Sequence, residues 1–286
     1  MEIGIGLPST VPGTTGREIT EWARAAEQAG FSTLGTIDRI VYANYEPMIA
    51  LAAAAAVTDR IRLATTVLLG PLRVNAALVA KQALSLDALA GGGRTVLGLA
   101  VGGREDDFAA SGLRLADRGR WMDDAVAQIR RIWDGAFPYE IGPRPPDPGP
   151  SLLIGGGAAA AYERAAGHGD GWIMGGGTPD MFREGVESLL SAWRKKERDG
   201  EPRKAALAYY SLGEHAQRNA ERYLGDYYGF LGQEFAGMIV GSAAKDAETV
   251  QGYIAAFDDA GCDELIFFPT SSDPEQVDLL AAAAGL

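Results

Sequence analysis

Few residues in this chain are suited to acid–base or electrostatic chemistry, and most of them sit at the ends of short apolar runs. There are 2 histidines. His168, in AAGHGDGW, closes a helical stretch, where an imidazolium meets the last carbonyls favourably and needs no further role. His215, in YYSLGEHAQ, follows an apolar run and is the one candidate imidazole base, weighed against an ordinary solvated residue at the start of a loop. Asp38 and Arg39 are adjacent after FSTLGTI. The carboxylate can accept a hydrogen bond from a ring edge, and the guanidinium can balance a developing negative charge, but arginine is no base at neutral pH. A surface Asp-Arg pair would do neither and would be worth little. Glu46, Glu105 and Asp106 are proton donors only if buried, and their ordinary employment is to cap the next helix.

Glycine and threonine supply a second set. Gly155, Gly156 and Gly157 end the run LLI and precede the helical pattern AAAAYERAAG, so they permit close backbone approach at a helix start, as a phosphate requires. The bland alternative is a strand-to-helix turn. Gly175 to Gly177 repeat the pattern as a competing cradle, and Gly102 with Gly103 end another run. Thr65, Thr66, Val67 and Leu68 close IRLATTVLL; without other information they are a strand end rich in β-formers.

These residues need a frame that gathers strand ends at one place. Apolar β-type runs fall near 2–7, 32–36, 61–68, 95–100, 151–155, 171–175, 205–211 and 263–268, each followed by a helical pattern. Thr15 with Glu18 reads as a capping box, Pro47, Pro179 and Pro274 as first helical residues, and Gly30, Gly91 to Gly93, Gly200 and Gly261 as helix terminators. Eight such units predict an α/β fold, the (β/α)8 TIM barrel, as one domain over 1–286. The open dinucleotide-binding sheet is disfavoured because GIGLPSTVPGTTG breaks the G-x-G-x-x-G order. Residues 135–150 read as a proline-rich surface loop, and 213–241 as a helical insertion after the seventh strand that can cover the barrel mouth. Trp121, Trp133 and Trp193 read as outer-layer packing.

Composition narrows the partners. A net charge of -12 repels phosphate backbones and anionic lipid, which argues against nucleic acid and membrane. The lone Cys262 makes no intramolecular disulfide, no Cys/His group has zinc spacing, and the chain enters EIGIGL without a leader pattern, so a cytoplasmic, metal-free protein is expected.

Taken in order, AEQAGFSTLGTIDR, IRLATTVLLGPLR, VAKQALSLDALAGGGRTVLGLAVGGREDDF, RGRWMDDAV, LLIGGG, AAGHGDGW and AFDDAGCDELIFF resemble the bacterial luciferase-like flavin and deazaflavin oxidoreductases over nearly the whole chain. The resemblance implies a barrel whose mouth binds coenzyme F420 or, alternatively, FMN. It also implies a non-proline cis peptide between Thr66 and Val67 behind the ring, and a homodimer. Many relatives carry an acid and then a histidine where this chain has Asp38 and Arg39, which puts that proton-transfer role in doubt. The expected activity is hydride transfer between F420 and a small organic substrate. The alternatives are an FMN-dependent monooxygenase using oxygen, and a non-catalytic flavin-binding homologue. Tyr42, Tyr45, Phe108, Tyr209, Tyr210, Tyr227 and Tyr228 suggest an apolar or aromatic substrate.

Overall fold

The computed structural model describes residues 1–144 and 147–286. Eight parallel strands close into a barrel in chain order. They are β1 (Glu2–Gly6), β2 (Thr33–Thr36), β3 (Arg62–Leu69), β4 (Thr95–Ala100), β5 (Ser151–Gly155), β6 (Gly171–Met174), β7 (Arg203–Tyr210) and β8 (Glu264–Pro269). Between and after them run α1 (Gly16–Gln28), α2 (Pro47–Ala55), α3 (Ala76–Leu89), α4 (Glu105–Ala110), α5 (Arg118–Trp133), α6 (Ala159–His168), α7 (Pro179–Lys195), α8 (Ala216–Tyr227), α9 (Gln233–Ser242), α10 (Ala247–Asp259) and α11 (Glu275–Ala284). The fold is thus the (β/α)8 TIM barrel that the alternation of runs implies. Its strand bounds differ from the sequence reading by a residue or two.

Strand periodicity explains the two cores. Leu34, Leu152, Trp172 and Phe267 belong to the layer between strands and helices, whereas Leu153, Ile173 and Phe268, each the next residue along, fill the barrel interior. The interior is tight enough to require glycine: a Cβ on Gly6 would lie 2.3 Å from the Phe268 ring. At the amino end of the barrel, buried Glu264 accepts from the Ser32 and Thr33 hydroxyls and pairs with Arg62 and Arg203, closing that end with a satisfied charge.

The helix signals hold locally. Thr15 and Glu18 form the capping box, Pro47 and Pro179 open α2 and α7, and Gly30, Gly200 and Gly261 take positive φ after helices. Pro274 is a correction: it is the cap before α11 and not its first residue. The described part of 135–150 is neither helix nor strand, and residues 145–146 lie outside the described residues. Among the described residues no helix is long and apolar enough to cross a membrane.

The insertion is an excursion from one point on the rim. The Ser211 N–H donates to the Ala244 carbonyl and the Ala244 N–H to the Tyr209 carbonyl, both at 2.9 Å, so the chain leaves β7 and returns beside it. In between, Ala220, Tyr223, Leu224 and Tyr227 recur along one face of α8 and join the interior cluster of the barrel. The mouth is capped by that face.

Candidate functional site at the barrel mouth

Parallel closure brings the carboxyl ends of all eight strands to one rim, and most of the expected site residues stand there. Beyond β2 the buried Asp38 turns toward the end of β3. Its Oδ2 accepts from the Leu69 N–H at 2.9 Å and from Arg73 at 2.7 Å. Its Oδ1 is buried and without a partner. Burial pushes this carboxyl above its ordinary range, and the Arg73 guanidinium opposes that push. Arg73 also reaches Glu46 at 3.3 Å, while Glu46 caps α2 through the Ile49 N–H.

Arg39 enters the mouth, but its guanidinium is already engaged by protein. It donates to the Tyr227 carbonyl at 3.1 Å and the Val41 carbonyl at 2.9 Å, and its Nε stands 3.6 Å from Asp107 Oδ2. The rings of Tyr42 and Tyr227 lie 4.9 Å from its central carbon. The guanidinium expected to balance a cofactor's charge thus already sits among the protein's own groups. Its donors face the α8 backbone and a buried carboxylate.

At β3 the threonines shape the strand end. The Thr65 hydroxyl donates to the Gly98 carbonyl at 2.8 Å and accepts from the Gly98 N–H at 2.9 Å, where the β3–β4 register shifts. Thr66 donates to the Thr36 carbonyl, and the Thr66–Val67 peptide is cis. Val67 fills the space that glycine leaves: a Cβ on Gly155 would lie 2.8 Å from Val67 Cγ1. Gly156, at φ +121°, and Gly157 are exposed and precede α6, whose N-terminus carries no side-chain cap. That leaves first-turn N–H groups free for an anion. A Cβ on Gly102 would lie 3.3 Å from Leu69 and 3.6 Å from Phe108, one on Gly103 would meet nothing within 4 Å, and Gly175 is exposed just after β6.

His215 does not join these groups. It is exposed at the cap position of α8, and Leu212 before it is hydrogen-bonded to Gln276 of α11, so the chain there leaves β7 toward that outer helix. A proton-transfer role for His215 has no support in this geometry. His168 ends α6 as expected, and burial first and Arg130 next lower its pKa. Glu105 is exposed in the first turn of α4, and Asp106 pairs with Arg104, whose hydrogen bond holds that carboxyl low. Tyr210 points outward and donates to the Gln276 carbonyl, away from the other tyrosines.

Sequence reasoning missed Asp107, Arg73 and Thr10. Asp107 is wholly buried and accepts from the Ile40 and Val41 N–H groups, binding the loop after β2 to α4. Its i, i+3 spacing from Arg104 was the available signal. Thr10 shares a 2.6 Å hydrogen bond with Tyr223, and Tyr209 shares one of 2.8 Å with Tyr228. Burial raises the pKa of all three tyrosines, so their hydroxyls stay protonated. Buried polar atoms without partners also gather on this rim: Ser9 Oγ beyond β1, Asp38 Oδ1 beyond β2, Arg73 Nε beyond β3, Ser211 Oγ beyond β7 and Thr270 Oγ1 beyond β8. Buried polar atoms ordinarily find partners, so this rim holds spare hydrogen-bonding capacity for a polar ligand or water.

The comparisons with known proteins bear on the family and the fold. A family model described as luciferase-like monooxygenase matches residues 1–285. An uncharacterised protein of Mycobacterium tuberculosis is 35% identical over 191 residues, 55% of this chain and 65% of that protein, so the match spans just under two thirds of the relative. A second from the same organism is 31% identical over 188 residues, 62% of this chain and 66% of the relative. Among solved structures, an F420-dependent secondary alcohol dehydrogenase in complex with an F420-acetone adduct superposes with TM-score 0.82 at 18% identity, covering 99% of this chain and 97% of that one. Monooxygenase RslO1 from Streptomyces bottropensis gives 0.78 at 21%, covering 99% and 98%. The coenzyme F420 dependent tetrahydromethanopterin reductase of Methanopyrus kandleri gives 0.74 at 16%, covering 98% of each chain. At these identities the structures speak for the fold alone.

Proposed function

The chain belongs to the luciferase-like monooxygenase family, and from that premise we propose that it is an oxidoreductase holding coenzyme F420 in the barrel mouth and moving a hydride between it and a small organic substrate. The observation that carries this reading is Asp38, a buried carboxylate anchored through one oxygen by Leu69 and Arg73, with the other oxygen unpartnered. The residues present fit such a group. Gly156 and Gly157 with the uncapped start of α6 offer backbone donors to a phosphate. Val67 and Gly155 offer an apolar wall of low relief for a flat ring.

When bound, the deazaflavin supplies the carbon that carries hydride. The chain's own work is positional. With the cofactor in place, Asp38 Oδ1 would be the atom free to hydrogen-bond the polar edge of the ring, its other oxygen being held by Leu69 and Arg73. The apolar face of α8, with Tyr223 and Tyr227, keeps water from the interior. Tyr209 and Tyr228 stay protonated beside the mouth and present hydroxyls and ring faces to a substrate with an apolar or aromatic body.

A second reading, use of reduced FMN and oxygen as a monooxygenase, draws on the family description and on RslO1 among the similar structures. A non-catalytic flavin-binding role is a third, drawn from Arg39 standing where many relatives carry histidine and from the scarcity of histidine in the chain. A cytoplasmic homodimer completes the proposal; the exposed Ile49, Val74, Leu78 and Leu89 on or beside α2 and α3 support self-association. Equilibrium fluorescence titration with F420 and with FMN separates the readings. Saturable F420 binding with weaker FMN binding is expected, the reverse order favours the monooxygenase, and binding without turnover of any substrate favours the third.

A further inference from the structure

We propose that Arg39 is the latch of a lid: residues 213–241 swing from the mouth to admit ligands, and the Arg39 guanidinium holds them shut. The inference rests on the mouth reading above only for what passes beneath. Two features make the insertion a lid. Both of its feet meet β7 at adjoining residues through the paired Ser211 and Ala244 hydrogen bonds, so it moves without disturbing the barrel ladder. Its inner face, with Tyr223 and Tyr227, lies on interior residues of the mouth, so a ligand must pass it to enter.

The shut position is held from the barrel side. Arg39 belongs to the loop after β2, yet one of its nitrogens donates to the Tyr227 carbonyl on the lid, another to Val41 in its own loop, and its Nε faces Asp107. Phe230, just past α8, lies 5.8 Å from Arg39 and 3.8 Å from Arg104. The guanidinium is thus the piece between lid, β2 loop and α4. A fork of planar donors with an aromatic-facing surface does this, and an ammonium of equal charge does not.

Hydrogen exchange read by mass spectrometry tests the latch without any ligand. In Arg39→Met, peptides spanning α8 and α9 should exchange about tenfold faster or more, while barrel-strand peptides keep the wild-type rate. Arg39→Lys should resemble Arg39→Met. Phe230→Ala, on a half-exposed lid residue that the barrel does not need, should give a smaller lid-confined increase. Wild-type exchange of the lid in Arg39→Met or in Phe230→Ala would overturn the proposal. Equal acceleration of lid and strands in Arg39→Met would overturn it as well, making Arg39 a general support of the fold. The association rate constant for oxidised F420 should rise in Arg39→Met by the factor seen in exchange, and a slower or equal rate would deny gating. Because the exchange comparison contains no cofactor, a failure of F420 to bind falls on the cofactor reading alone.

Discussion

Arg73 donates to Asp38 Oδ2 at 2.7 Å, while Oδ1 of the same carboxylate is buried with no partner. One oxygen is fixed from the β3 side and the other is left for something the chain does not supply. Removing the anchor has a signed consequence. Asp38 has a folded pKa above its ordinary value, so its burial costs stability progressively as pH rises through that folded value, and protonation relieves the cost below it. In Arg73→Ala the uncompensated carboxylate should cost about 3 kcal/mol at pH 7 and clearly less at pH 4. Urea denaturation at both pH values checks this; an equal deficit would mean that Asp38 does not feel Arg73.

Glu264 behaves in the opposite sense. Burial pushes it up, but Arg62, Arg203 and the Ser32 and Thr33 hydroxyls prevail and hold its pKa below the ordinary value. Its contribution is present above the ordinary glutamate range and lost as pH falls through the depressed folded value. Glu264→Gln removes the buried partner of Arg62 and Arg203, which are partly exposed and keep Glu2, and should cost about 2 kcal/mol at pH 7. Its acid limb should also be flatter than that of the wild type in a pH series of thermal melts.

The glycine cradle is best tested at Gly157. Gly156 has φ +121°, so any side chain there strains the backbone, whereas a Cβ on Gly157 meets nothing within 4 Å. Gly157→Val should leave the melting temperature unchanged and weaken F420 binding by about tenfold, since the branched side chain blocks backbone approach to a phosphate. Unchanged affinity would reduce the cradle to a turn.

Cys262 is buried, and burial pushes its thiol pKa up to about 12. It should resist a thiol reagent in native protein at pH 8 and react fully in denaturant. Rapid native labelling, followed by absorbance, would show that the segment before β8 opens readily.

Much of this was legible in the chain because local rules carry it. Thr15 with Glu18, Pro47 and Pro179 mark helix starts through their own backbone chemistry, and the alternation of runs implies barrel closure. Asp38 and Arg39 were legible as candidates, but their partners were not. Arg73 and Asp107 lie on other loops, and only closure brings them near. The position of His215 after β7 is legible in sequence, but not that the chain there is tied at Leu212 to α11 and leaves the imidazole exposed. Arg39 was read as facing a ligand because nothing in its own segment shows that the α8 backbone takes its donors.

The claim that the mouth is the cofactor site is tested most directly by hydrogen exchange with and without saturating F420. Protection should appear together at residues 38–41, at 155–159 and along α8, three segments far apart in the chain that the barrel gathers at one rim. Saturable binding that leaves these three segments unprotected, or no binding of F420 or FMN, would contradict it.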